Sequence, residues 1–123
     1  MTDPELTRFV VLEHRQAQGV HFDLMIERGG VLATWKFEEF PASTSPSMTC
    51  DRLADHRLLY LDFEGPLSKN RGNVIRVDRG ECRILHWAAE RMALQFTGEK
   101  LRGGFELATI ASTQRWRFIA LED

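Results

Sequence analysis

Across residues 20–27 apolar and polar side chains nearly alternate, with Phe22, Leu24 and Ile26 on one side of the backbone and His21, Asp23, Met25 and Glu27 on the other. A period of two belongs to a β-strand, whose successive side chains point to opposite faces. The apolar run Phe9-Val10-Val11-Leu12 comes before it, and the polar segment from Arg15 to Gly19 ends in glycine, so residues 7–13 and 20–27 read as the arms of a hairpin. Arg28-Gly29-Gly30 then turns the chain into a third strand, residues 31–37.

Further short strands are expected at 74–78, 81–87, 92–97, 103–107 and 116–121, punctuated by Arg79-Gly80 and Thr97-Gly98. The Pro- and Ser-rich stretch 41–47 reads as a surface loop, and 51–65 is ambiguous between a short helix and irregular packing. Even spacing without a long helical pattern argues for an antiparallel barrel or sandwich, and a barrel also removes exposed edges. The expected fold is mainly β: one compact antiparallel β-barrel spanning 1–123, with one or two short helical turns. Its mouth or interior would give residues such as His21 and Asp23 a pocket to face.

Pairing of the first two strands brings His14 back beside His21. Two imidazoles and the Asp23 carboxylate can then hold a divalent transition metal with positions left open for water or substrate, as in a catalytic site. The alternative is that His14 caps a strand end, His21 packs in a polar pocket and Asp23 bonds a turn amide. His56 and Tyr60 are four apart and on a helical turn would face the same way. Otherwise His56 is a half-buried imidazole bonded to nearby backbone, and Tyr60 a core ring with its hydroxyl at the surface.

The formal net charge is −2, so any contact with nucleic acid must come from a local cationic surface. Arginines recur at Arg52, Arg57, Arg71, Arg76, Arg79 and Arg83. Cys50 and Cys82 form no C-x-x-C pair and cannot complete a zinc cage, so a reducing, cytosolic compartment is expected. The start has no basic or apolar leader region and no later run is long enough to cross a bilayer, so the chain is expected to be soluble, cytoplasmic and monomeric.

The order and spacing of several segments resemble the 3′-phosphoesterase domain of bacterial DNA ligase D and its stand-alone counterparts. These are Arg8-Phe9-Val10-Val11-Leu12-Glu13-His14, His21-Phe22-Asp23-Leu24, Gly30-Val31-Leu32 with Trp35, Asp55-His56 with Tyr60, and Asp62-Phe63-Glu64-Gly65. Val77-Asp78-Arg79-Gly80, Gly98-Glu99-Lys100-Leu101-Arg102-Gly103 and Trp116 complete the set. The resemblance implies a β-barrel enzyme that uses manganese to clean DNA 3′ ends, removing a terminal ribonucleoside and then the 3′-phosphate. It places the metal ligands on His14, His21 and Asp23, and the phosphate-site histidine and tyrosine on His56 and Tyr60. It also implies substrates that are DNA or RNA-terminated DNA 3′ ends, with a ligase or polymerase of end joining as partner.

The chain departs from that pattern. Met25 stands where the family has an arginine, Glu39 where it has a lysine, no basic arm precedes the first strand, and Ser68-Lys69-Asn70-Arg71-Gly72-Asn73 replaces a glycine-rich turn. Methionine cannot donate to a phosphate oxygen. Arg76 is the expected substitute cation, with Lys69 and Arg71 gripping the nucleic-acid backbone. Two other readings fit the same residues: a non-catalytic nucleic-acid or protein-binding barrel, and a metalloenzyme such as a non-haem iron protein acting on another substrate.

Overall fold

A computed structural model describes residues 5–42 and 47–121. Along the chain run β1 (Glu5–Gln16), β2 (Gly19–Arg28), β3 (Val31–Phe37), β4 (Ser47–His56), a 3-10 turn (Leu58–Leu61), β5 (Gly65–Pro66), β6 (Asn73–Ala88), β7 (Arg91–Gly98), β8 (Arg102–Thr109) and β9 (Arg115–Ala120). The sheet order is β1-β2-β3-β4-β9-β8-β7-β6-β5, and every pairing is antiparallel. β1 also pairs with β6, from Glu5↔Ile84 to Arg15↔Asn73, so eight strands close into a barrel. The two-residue β5 lies outside the ring against the start of β6. The mainly β barrel expected from the alternation is therefore the fold. Among the described residues no helix is long and apolar enough to cross a membrane.

All eight ring strands send alternate side chains inward. Phe9 and Val11, Leu24 and Ile26, Trp35 and Phe37, Cys50, Cys82, Leu94 and Phe96, Phe105, Trp116 and Phe118 belong to one buried cluster. Each large apolar side chain removed from water contributes about 1.5–3 kcal/mol. The rings of Phe105 and Phe118 stack with centroids 4.4 Å apart, and Phe9 meets Phe96 edge to face at 4.9 Å.

The opposite parity of β1, β2 and β3 builds a second, smaller core on the outside of the wall. Val10, Leu12, Met25 and Leu32 are buried there with Val74 of β6 and Leu61 of the 3-10 turn, and Leu58, Tyr60, Phe63 and Leu67 pack over them. Residues 57–67 thus form a strap across the outer face. A bulge in β6 makes this arrangement consistent: Leu12 pairs with Arg76 and Val11 with Asp78, leaving Val77 as an extra residue. One extra residue reverses the alternation. Val74 and Arg76 therefore share the outer face with Leu12 and His14, whereas Asp78 and Cys82 follow the parity of the inward-facing Val11.

Three local expectations change. Arg79-Gly80 does not end a strand, because β6 runs unbroken through it. Gly80 permits this: a Cβ there would sit 2.1 Å from the Thr97 carbonyl oxygen on β7, so only glycine lets the ladder continue. The ambiguous stretch 51–65 is neither a helix nor irregular throughout, since its first six residues belong to β4 and only Leu58–Leu61 turn helically. Within the loop expected at 41–47, Pro41 and Ala42 are outside any strand, Ser47 already opens β4, and 43–46 lie outside the described residues.

Cys50 and Cys82 are fully buried free thiols, and burial pushes both up to about 12. At pH 8 only about one thiol in ten thousand would be ionised, and the thiolate is the reactive form. Native protein is therefore expected to leave a thiol-specific disulfide reagent unconsumed at pH 8, and unfolded protein in urea to release two equivalents. Stoichiometric labelling of the folded chain would show that the barrel opens around β4 or β6.

Candidate metal centre on the outer wall

The hairpin register sets His14 directly opposite His21 and Leu12 opposite Asp23. His21 and Asp23, two apart on β2, share the outer face by the period of two. One ligand atom from each of His14, His21 and Asp23 lies within 4.8 Å of the others. His14 Nδ1 is 3.2 Å from His21 Nε2, which is 3.2 Å from Asp23 Oδ1, and His14 Nδ1 is 3.9 Å from Asp23 Oδ2. The side chains are largely buried, with 13% of His14, 12% of His21 and 5% of Asp23 exposed.

Backbone contacts orient these atoms. The Arg71 carbonyl lies 2.7 Å from His14 Nε2. A carbonyl can only accept, so Nε2 carries the proton and a neutral His14 turns the bare Nδ1 towards His21 and Asp23. A ligating histidine is commonly fixed through its other ring nitrogen in this way. Gly72 makes the approach of this loop to β1 feasible: its φ is +96°, and a Cβ would fall 2.1 Å from the Arg15 carbonyl oxygen.

The residues fit a divalent ion. Asp23 Oδ1 is buried without a hydrogen-bond partner, because its approach to His21 lacks hydrogen-bond geometry. A buried, unsatisfied carboxylate oxygen costs about 1–3 kcal/mol or more. A cation would satisfy it, and two imidazole nitrogens with one carboxylate oxygen suit zinc, manganese and iron alike.

The cluster opens into a cavity of about 130 Å³, lined by His14, Asp23, Met25, His56, Tyr60 and Arg71 among others. It lies between the barrel wall and the strap, not in the mouth or interior expected from the sequence. His56 ends β4, and Tyr60 follows on the 3-10 turn. Their rings meet edge to face at 5.7 Å, and Tyr60 is braced by Phe63 at 5.9 Å. They are thus neighbours, but through a strand end and a tight turn, not a shared helix face. His56 Nδ1 donates to the Ala54 carbonyl at 2.9 Å, which leaves Nε2 of the neutral ring free to take a proton.

The expected cations are placed differently. Arg71 lines the cavity, but its guanidinium donates to the carbonyl and hydroxyl of Ser68 at 3.0 and 3.1 Å. Lys69 is exposed in the same turn, with φ +59°, and is not among the residues lining the cavity. Arg76 reaches the Leu61 carbonyl at 3.4 Å and Glu64 at 3.9 Å, tying the strap down, and borders a different cavity with Asp78 and Arg79. Met25 is buried in the floor.

The sequence assigns Asp78 no role beyond its place in the Val77-Asp78-Arg79-Gly80 segment. Buried beside the Gly98–Leu101 turn, its carboxylate accepts from the backbone amides of Arg79, Glu99, Lys100 and Leu101 at 2.7–3.2 Å. The Val77-Asp78-Arg79-Gly80 and Gly98-Glu99-Lys100-Leu101 segments therefore meet as a clasp between β6 and the β7–β8 turn, away from the metal centre. Nothing in the local pattern around Asp78 separates it from a surface aspartate.

The fold and site define an antiparallel eight-stranded barrel that carries a two-histidine, one-carboxylate cluster on its outer wall. The chain belongs to the DNA ligase D 3′-phosphoesterase domain family, whose profile matches residues 12–109. That span contains His14, His21, Asp23, His56 and Tyr60. Similar proteins include the multifunctional non-homologous end joining protein LigD of Pseudomonas aeruginosa, 31% identical over 111 residues, or 83% of this chain and 13% of that protein. LigD of Mycobacterium bovis is 37% identical over 76 residues, 58% of this chain and 10% of that protein. LigD of Mycolicibacterium smegmatis is 32% identical over 77 residues, 59% and 10% respectively. The chain thus spans only a small part of the length of these relatives.

Proposed function

We propose that this chain is a divalent-metal-dependent phosphoesterase that processes nucleic-acid 3′ ends, removing a 3′-phosphate or a 3′-terminal ribonucleoside, with manganese as the metal. The observation that carries the reading is the convergence of His14 Nδ1, His21 Nε2 and the unpartnered Asp23 Oδ1 at a cavity that His56 and Tyr60 also line. Family membership supports the reaction class.

A phosphoester resists attack because its oxygens are anionic, so the site must offset that charge, activate water and protonate the leaving oxygen. A divalent ion held by His14, His21 and Asp23 would supply the first two of these. His56, with Nδ1 fixed on the Ala54 carbonyl, presents Nε2 as the atom that holds and delivers a proton. Tyr60 packs against the His56 ring and keeps it at the cavity wall. The strap, held by the outer core, limits water on one side of the site.

Purified protein with manganese is expected to release inorganic phosphate from a 3′-phosphorylated primer and to shorten a primer ending in one ribonucleotide, and a chelator should stop both. Product analysis on a sequencing gel checks this. Unaltered substrate across both ends and several divalent ions would overturn the reading.

A further inference from the structure

Beside the cluster, on the same wall, one positive charge has no carboxylate to answer it. Lys36 is the register partner of Asp23 on one side and of Asp51 on the other. Residues directly opposite in an antiparallel ladder present their side chains to the same face, with Cβ atoms about 4.5–5.5 Å apart. Lys36 therefore stands on the outer face next to Asp23, on the flank away from His14. Neither neighbour neutralises it: Asp23 lies against the two histidines, and Asp51 is held by Arg115 at 2.9 Å. Among the described residues the Lys36 ammonium forms no ion pair, and the side chain is only partly exposed.

Of the other cations of this region, Arg57 and Lys69 are exposed and form no ion pair among the described residues, whereas the rest are committed. Arg71 donates to Ser68, Arg76 to Leu61 and Glu64, and Arg15 to Glu13. Arg52 lies over the Trp35 ring with its carbon 4.4 Å from the centroid and pairs with Asp55 at 3.7 Å. Met25, which lines the cavity, is apolar, and Lys36 stands beside Asp23 outside the residues that line it. A terminal phosphate monoester carries close to two negative charges at neutral pH and needs more positive charge than one ion on a carboxylate-containing cluster provides.

We propose that Lys36 is the phosphate-binding cation of this site, contacting the non-bridging oxygens of a 3′-terminal phosphate from the β3 side while the metal cluster holds them from the β1–β2 side. The proposal rests on the phosphoesterase reading for the identity of the anion. A flexible four-carbon stem with an ammonium head suits a point-charge contact of this kind.

The test compares unaltered protein with Lys36→Met and Lys36→Arg, reading manganese affinity, the dissociation constant of inorganic phosphate for the manganese-loaded protein, and KM and kcat on a 3′-phosphorylated primer. Loss of one charge-assisted contact predicts a rise of about tenfold in both KM and the phosphate constant for Lys36→Met, with manganese affinity unchanged. Lys36→Arg keeps the charge and should stay within about threefold of the unaltered protein. Equal KM and phosphate affinity in Lys36→Met, or loss of manganese binding there, would overturn the proposal. If the unaltered protein turns over no 3′ end, the functional reading falls and the phosphate titration still decides: weaker binding in Lys36→Met supports the assignment, whereas equal or undetectable binding throughout refutes it.

Discussion

Alanine in place of Asp23 is expected to abolish manganese-dependent release of 3′-phosphate and, in the same variant, the thermal stabilisation that manganese confers on the unaltered protein. A ligand that binds only the folded chain stabilises it by about 2.7 kcal/mol at a hundred times its dissociation constant. For a domain of this size that is a rise of about 10 °C in Tm. Asp23 supplies the sole carboxylate of the cluster, so its loss leaves two neutral imidazoles, too weak a donor set to keep the ion. The metal-free variant should nevertheless stay folded. Removing a carboxylate whose Oδ1 is buried and unpartnered relieves a cost of about 1–3 kcal/mol, which offsets the lost packing. His14→Ala should behave alike in turnover. Scanning calorimetry with and without manganese, alongside the primer assay, checks both statements. A Tm rise that persists in Asp23→Ala would move the metal elsewhere.

The largest loss of stability is expected not at the metal centre but at Asp78. Its two oxygens accept four backbone amides, and Asp78→Ala strands those donors, of which the Leu101 amide is buried and the other three partly so. Each stranded donor costs about 1–3 kcal/mol where burial persists, and partial relaxation of the exposed Glu99-Lys100 tip recovers some of it, for a net loss of about 3–5 kcal/mol. Urea unfolding should show the midpoint falling with the slope preserved. Asp78→Asn keeps one acceptor oxygen but turns an amide group towards donors, so it should recover only part of the loss. A drop below about 1 kcal/mol in Asp78→Ala would show that the clasp does not hold the barrel together.

The grouping of His14, His21 and Asp23 was legible in the sequence because it depends on one short hairpin. The alternation of residues 20–27 sets the faces, and the loop from Arg15 to Gly19 sets the register that puts His14 opposite His21. The strap and its outer core were not legible, since β1 is apolar on both faces and its pattern does not say which side is the barrel interior. β4 was obscured because Cys50 is its only fully buried residue, and a strand with charges on both faces shows no alternation. Lys36 and Asp78 carry no local signal, for a common reason. Lys36 gains its meaning from neighbours on β2 and β4, and Asp78 from a turn some twenty residues away, so both depend on tertiary register that no local window contains.

The strand that bears two of the three candidate ligands is laddered on both flanks, to β1 from Gly19 to Ile26 and to β3 from Phe22 to Arg28. Asp23 is therefore held from both sides and His21 from the β1 side, so the candidate donors stand together before any cation arrives. Little conformational freedom is left to lose on capture. If the cluster takes up an ion, such a rigid seat would sort ions by radius and preferred coordination and would release them without any rearrangement of the wall.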